Sequence, residues 1–314
     1  MARSSRKEPL VQSGILLVDK PQGLTSHDVV SRVRRVAGTR KVGHAGTLDP
    51  MATGLLVVGV NSSTRLLTYL VGADKRYEAT ILLGRSTASD DADGETVAVA
   101  DAAQLASVTD VAIDEAVAAL TGDIEQVPNA VSAIKVDGRR AYDRARAGED
   151  VQLSARPVRV DRFEVLERRR LADTIELDVV VDCGSGTYIR ALARDLGSAL
   201  GVGGHLTRLR RTRVGGFDVA DAAGVDELVV PDGLLTPAAV AETVVARWDV
   251  DEPTATALAQ GKKLPSSLPD GLRAAIAPGE RLIGVVRVAG GVVRSVTNFP
   301  SDEVRAPSTD GAAS

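Results

Sequence analysis

The stretch KVGHAGTLDPMATGLLVVGV, residues 41 to 60, places four glycines, one histidine and a lone aspartate ahead of an apolar run. Asp49 precedes Pro50, which pushes its backbone away from the helical region, and the glycines at 43, 46 and 54 permit close approach by another segment. A carboxylate presented on such a turn suits nucleophilic attack or stabilisation of a cationic centre. It equally suits a turn cap for Ala52 or Thr53, and these residues alone leave both readings open. A hydrolase built on Asp49 and His44 has little support, because the sequence contains no GxSxG elbow and no serine marked out as nucleophile. Three histidines (His27, His44, His205) and a single cysteine, Cys183, leave almost no ligands for a zinc or iron–sulfur site, so no metal is expected. A lone cysteine cannot form an internal disulfide, which fits a reducing cytoplasm.

Charge is unevenly spread. The formal net charge is -4, yet residues 20 to 50 hold six basic residues against two acids. Residues 190 to 213 hold six arginines against Asp195, and residues 86 to 101 hold five acids and no base. Such patches suit an anionic partner, although an arginine run is also an ordinary solvated face. No segment approaches the roughly 20 unbroken apolar residues that span a bilayer, and the basic N-terminus lacks the apolar core of a secretory signal. A soluble cytoplasmic protein with no membrane partner is expected.

The elements that position Asp49 follow from periodicity. Strands are expected at 14–20, 55–60, 76–84, 130–138, in PVRVDRFEVLE and in IELDVVVDCG. Helices are expected at 26–38, 112–121, 139–147 and 187–200. The first has Ser26 as N-cap, Val29, Val30, Val33 and Val36 on one face and Gly38 as its stop. Short turns join some strands and helices join others, so the fold class is α+β, with a mixed, largely antiparallel sheet flanked by helices. No GxGxxG or GxxxxGK[ST] supports a nucleotide-cofactor fold.

Past residue 235 the pattern becomes two short helices, a Pro-rich break and a hairpin turning at Gly290–Gly291. The expected organisation is a flexible N-terminus at 1–13, a main domain at 14–235, a small α+β unit at 236–300 and a disordered tail at 301–314.

The ordered series DKPQGLTS, GHAGTLDPMATG, DKRYEATILLG with the acidic DDADG, SAIKVDGRRAYDRARAG, CGSGTYIRALARDLG and GGHLTRLRRT resembles the bacterial tRNA pseudouridine synthase B family. The resemblance spans about residues 14 to 215, and the last unit resembles the small PUA-like RNA-binding domain of that family. It implies isomerisation of uridine 55 in the tRNA T arm, a redox-neutral reaction that needs no cofactor. Asp49 matches the catalytic aspartate, and Arg190 the arginine paired with it, a pairing expected to depress the carboxylate pKa. Tyr77 and Tyr188 match tyrosines around the flipped uracil, with Tyr77 also a candidate proton mover. His44 and Leu209 match pocket positions, and Lys20 and Pro21 a motif that supports the loop. Flipping a loop uridine out of its stack calls for backbone contacts as well as stacking. Arg32, Arg34, Arg35, Arg208, Arg210, Arg211 and Arg213 are the candidates for phosphate contact, as a group.

The resemblance also implies a monomer that acts on the tRNA T-arm stem-loop without a guide RNA, with a possible role in tRNA folding. A guide-RNA-dependent archaeal or eukaryotic relative shares the aspartate loop but differs in its flanking motifs. Two departures concern detail: Ala45 stands where many members have Thr, and TASDDADG replaces TDTxDxxG while keeping Asp91.

Overall fold

A computed structural model describes residues 12–129, 135–136, 139–140, 154–230 and 232–300. The expected flexible start, up to residue 11, and the tail from 301 lie outside the described residues, as does most of the expected strand 130–138 and helix 139–147.

The chain begins with β1 (Gly14–Lys20), α1 (Ser26–Val36), β2 (Val42–Ala45), β3 (Thr53–Val60), α2 (Leu67–Val71) and β4 (Lys75–Leu83). A hairpin, β5 (Arg85–Thr87) and β6 (Thr96–Val99), leads into helices α3 (Ala102–Ser107) and α4 (Asp110–Ala119). After β7 (Gly122–Gln126), the short pair β8 (Lys135–Val136) and β9 (Arg139–Arg140) forms a second hairpin, so strand replaces helix where 139–147 was expected to begin. The long strands β10 (Arg156–Arg170) and β11 (Ile175–Cys183), helix α5 (Ile189–Ala199), β12 (Gly204–Val214), β13 (Phe217–Asp218) and β14 (Ala223–Gly224) complete the main body.

These strands build a ten-stranded sheet in the order β14-β1-β3-β12-β4-β11-β10-β7, with β13 on β12 and β2 on β3. Only β1·β14 and β3·β12 are parallel within it, which gives the mixed, largely antiparallel sheet expected. The central strand β12 escapes periodicity. Its inward residues, Leu206, Leu209, Arg211 and Val214, are separated by three, two and three positions, because bulges interrupt the ladder between Leu206 and Arg208 and again between Arg211 and Arg213.

Helix α1 differs from expectation at both ends. Thr25 is its N-cap: the Thr25 hydroxyl accepts from Asp28 N–H at 3.1 Å, and the Asp28 carboxylate accepts from Thr25 N–H at 2.9 Å. Ser26 is buried, its hydroxyl being used elsewhere, and Val36, the last residue of the helix, is 47% exposed and not on the buried face of Val29, Val30 and Val33. Gly38 does stop the helix, at φ +61°.

The C-terminal segment folds as α6 (Pro237–Glu242), β15 (Ala246–Asp249), α7 (Glu252–Ala259), β16 (Leu264–Pro265), β17 (Gly271–Ala277), β18 (Arg281–Ala289) and β19 (Val292–Asn298). Its five strands form a separate sheet, with the β18–β19 turn at Gly290 and Gly291, both at positive φ. One apolar cluster joins Ile15, Leu55 and Val57 of the large sheet to Val240, Ile276, Leu282 and Phe299, so this unit is packed onto the main body.

Candidate active site

Lys20, Gly54, Arg211, Tyr77 and Val181 stand opposite one another across β1, β3, β12, β4 and β11. Directly opposed residues share a face, so this row forms one level of the sheet. Two of its members are buried cations, Lys20 at 0% and Arg211 at 1% exposure. Gly54 has φ +100°, and a Cβ there would come within 2.2 Å of the Arg211 carbonyl oxygen. The close approach expected at this glycine is therefore made by the chain's own β12.

Above this row the loop 46–50 is held by its main chain. Arg211 donates from Nε to Leu55 O at 2.8 Å, from Nη2 to Gly46 O at 3.0 Å and from Nη1 to Thr47 O at 3.4 Å. The Ser26 hydroxyl donates to Leu48 O at 3.1 Å and accepts from Leu48 N–H at 2.8 Å. The Lys20 ammonium donates to Pro21 O, Leu24 O and Pro50 O at 2.9, 2.7 and 3.4 Å. Ala52 N–H bonds the main-chain carbonyl of Asp49 at 3.1 Å, so the turn is closed by backbone and the carboxylate serves another partner.

That partner is Arg190, on the first turn of α5. Its Nε lies 3.1 Å from Asp49 Oδ2, while its Nη1 lies 3.0 Å from Asp91 Oδ2 and donates to Ser89 O at 2.8 Å. The pairing with Arg190 pulls the Asp49 pKa down, as expected, but does not set its net direction. Burial pushes the Asp49 carboxyl up and Asp91 adds to the rise; the charges of Arg190 and Lys20 offset only part of it. The Asp49 side chain keeps 39% of its surface open, so it remains reachable from the cleft. Burial also lowers the pKa of Lys20, to about 8, against the pull of Asp49.

The cleft before Asp49 holds about 270 Å³, with Tyr77, Tyr188, Ile189 and Leu209 as apolar walls and Thr47, Lys75 and Arg190 as polar ones. Burial raises the pKa of both phenols, opposed by Arg211 at Tyr77 and by Arg156 at Tyr188. Tyr188 is the N-cap of α5 and makes no side-chain cap bond of its own. Gln126, 1% exposed, holds the main chain of this residue: its Oε1 accepts from Tyr188 N–H at 2.8 Å and its Nε2 donates to Tyr188 O at 3.0 Å. His44 is half-buried on β2 opposite Val58, two residues ahead of Gly46 in the cleft wall. Pro21 is exposed and contributes its carbonyl to Lys20. Among the described residues no group of three or more His, Cys, Asp or Glu is arranged to hold a metal.

Three family models match successive stretches of the chain. They are the TruB family pseudouridylate synthase N-terminal domain over residues 34–189, the tRNA pseudouridylate synthase B C-terminal domain over 190–230, and the tRNA pseudouridine synthase II C-terminal model over 245–300. A tRNA pseudouridine synthase B from Leifsonia xyli subsp. xyli (strain CTCB07) is 57% identical over 299 residues, covering 94% of this chain and 99% of that protein. The chain belongs to the TruB family. A TruB-family relative from Arthrobacter sp. (strain FB24), also named tRNA pseudouridine synthase B, is 52% identical over 303 residues, covering 93% of this chain and 98% of its own. Among solved structures, a chain of a Cbf5–Nop10–Gar1 complex aligns with a TM-score of 0.66 and 26% identity, over 90% of this chain and 80% of that one.

In this TruB-family chain the arginine run of β12 divides between two faces. Arg211 is buried and bonded to main-chain carbonyls, so it is corrected from a phosphate contact to a support of the loop. Arg208, Arg210 and Arg213 stand on the face opposite Tyr77 and Leu209, paired with Glu78, Asp19 and Asp182. On α1, Arg32 pairs with Asp226, Arg34 donates to Val42 O at 3.4 Å and Arg35 is exposed. Sequence reasoning missed three site residues. Asp91 was singled out only as a loop acid; Lys75 stood inside the DKRYEATILLG motif without a role of its own, and Gln126 carried no signal beyond polarity at the end of a strand.

Proposed function

We propose that this protein is a tRNA pseudouridine synthase that isomerises uridine 55 of the T arm, with Asp49 attacking a flipped-out uridine. What carries the reading is a reachable carboxylate on a loop fixed through its main chain, set in a cleft walled by two tyrosines. Asp49 attacks C1′ or assists departure of the base as the N1–C1′ bond breaks; the uracil turns, C5 bonds C1′ while any Asp49–C1′ bond breaks and frees the carboxylate, C5 loses its proton and N1 gains one, so the product is an isomer of the substrate. Arg190 aims the carboxylate and balances its charge. Tyr77, whose burial keeps the phenol protonated, and Leu209 hold the uracil between them, and Tyr188 closes the mouth. Lys20 and Arg211 act from beneath, through the loop.

In this reading the reaction is redox-neutral and uses no cofactor, no metal and no guide RNA. The protein works as a cytoplasmic monomer, with 14–235 as catalytic domain and 236–300 as a PUA-like RNA-binding domain. The test incubates purified protein with a T-arm stem-loop transcript in EDTA and maps pseudouridine by mass spectrometry or chemical mapping. Pseudouridine at the position of uridine 55 is expected, and an unchanged transcript overturns the reading.

A further inference from the structure

Two buried lysines flank the site, and they differ in how their ammonium hydrogens are used. A lysine ammonium has three donors. Lys20 places them on three carbonyls and is saturated. Lys75, 6% exposed, donates to Ala73 O at 2.6 Å and Val71 O at 3.1 Å, and its third hydrogen has no acceptor among the described residues. No carboxylate lies within ion-pairing distance of it among those residues, and its side chain lines the cleft in front of Asp49.

The balance of charge around the cleft points the same way. Lys20, Lys75, Arg190 and Arg211 are all buried, whereas the carboxylates facing them are Asp49 and Asp91. Arg190 is shared by those two carboxylates and Arg211 is committed to carbonyls. Lys75 is thus the buried cation that lines the cleft with a donor to spare. A buried charge without a counterion is costly, and an incoming anion relieves that cost. Burial lowers the Lys75 pKa, the charge of Arg211 adds to the fall, and Cys183 and Asp74 offset part of it. The loop lies close to its stem: a Cβ on Gly46, at φ +89°, would stand 3.6 Å from Lys75 Cε, an ordinary contact distance. The far rim is fixed by the Ser185 hydroxyl, which donates to the same Val71 carbonyl at 2.8 Å.

We propose that Lys75 anchors a phosphodiester oxygen of the nucleotide whose base enters the cleft, completing its third hydrogen bond with the RNA backbone. This rests on the reading of the cleft as a uridine pocket. The sugar then lies between two fixed points, the Lys75 ammonium on its phosphate and the Asp49 carboxylate at C1′, so its placement is independent of the identity of the neighbouring bases.

The test uses three stem-loop transcripts: one all-phosphate, one with a neutral methylphosphonate immediately 5′ of the target uridine and one with it immediately 3′. Pseudouridine formation is followed under single-turnover conditions for the full-length wild type and Lys75→Met. One methylphosphonate should raise the half-saturating enzyme concentration for wild type about tenfold, the size of a charge-assisted hydrogen bond. Lys75→Met should lose about the same on the all-phosphate RNA and nothing further on that methylphosphonate, the non-additivity of two groups in contact. Its salt slope should flatten by about 0.7, one single-strand phosphate contact. If Lys75→Met does not fold, Lys75→Gln, which keeps donors without the charge, takes its place. Wild type indifferent to both methylphosphonates, or a variant that still loses tenfold at the sensitive position, overturns the proposal. Failure of wild type to modify the all-phosphate RNA overturns instead the reading of the cleft.

Discussion

The side-chain amide of Gln126 closes on both main-chain groups of Tyr188, accepting its N–H at 2.8 Å and donating to its carbonyl at 3.0 Å. A strand end on one side of the site is thereby bonded to the first residue of the helix that carries Arg190 two positions later. Gln126→Leu would leave the Tyr188 N–H without its acceptor, at a cost of about 1–3 kcal/mol, whereas the Tyr188 carbonyl keeps its bond from Leu192 N–H. The variant should melt at a lower temperature and, because the cap that orients Tyr188 and Arg190 is loosened, lose single-turnover rate more than affinity for tRNA. A destabilised variant with the full single-turnover rate would mean that the amide serves the fold alone.

Asp49 is held at a cost to stability. Its pKa in the folded protein lies above the unfolded value, so between the two values the folded state binds more protons and stability falls as pH rises. Ionised Asp49 at neutral pH therefore works against the fold. Asp49→Asn should match or exceed the wild-type melting temperature at pH 7 while losing turnover by roughly three orders of magnitude or more. A variant that both melts lower and keeps activity within tenfold of wild type would contradict the assignment on both counts.

Asp91 shares the Arg190 guanidinium with Asp49, and its negative charge adds to the rise in the Asp49 pKa. Asp91→Asn removes that contribution, so the acid limb of the single-turnover rate should move to lower pH. The maximal rate should fall as well, because Arg190 loses the partner that fixes its Nη1. A pH–rate profile of wild type and variant decides this, and an acid limb displaced upward would show that the coupling runs otherwise.

Lys20 gives a dependence at the opposite end of the pH scale. Its pKa is about 8 in the folded protein against 10.5 for a free lysine, so between these values the unfolded chain binds more protons and stability rises with pH. Below about pH 8 both states are protonated and the cost of the buried charge is fully present. Denaturant melts at pH 7.5 and 10 should show wild type gaining stability relative to Lys20→Met. Parallel changes in the two proteins would place the titration elsewhere.

Much of this arrangement was legible in the residues. Asp49 before Pro50, the close approach at Gly54 and the existence of α1 with its stop at Gly38 follow from local chemistry, whereas the cap of α1 lies at Thr25, one residue before Ser26. Lys20 and Arg211 were not legible as a pair, because their adjacency depends on the register of β1, β3 and β12. Two bulges gave β12 an inward pattern that fits neither strand nor helix, so an arginine-rich central strand read as a charged surface. The net direction of the Asp49 pKa was not legible for a related reason: one favourable partner was visible in the sequence, whereas burial and Asp91 exist only in the fold.

The two faces of β12 give opposite expectations for its arginines. Arg208, Arg210 and Arg213 share the face away from Tyr77 and are paired with Glu78, Asp19 and Asp182. The exposed pair Arg208–Glu78 contributes little, about 0–1 kcal/mol, whereas the pairs with Asp19 and Asp182 are part-buried. Replacing all three with alanine should leave the salt dependence of tRNA binding within about one unit of the wild-type slope, where three phosphate contacts would remove more than two. Arg211→Met should act through the fold instead, freeing the carbonyls of Gly46 and Thr47, lowering the melting temperature and slowing the chemical step at saturating RNA. A triple variant whose slope flattens by two or more would bring the outer face of the sheet into contact with RNA. An Arg211→Met protein with wild-type melting and rate would leave the loop held by Ser26 and Lys20 alone.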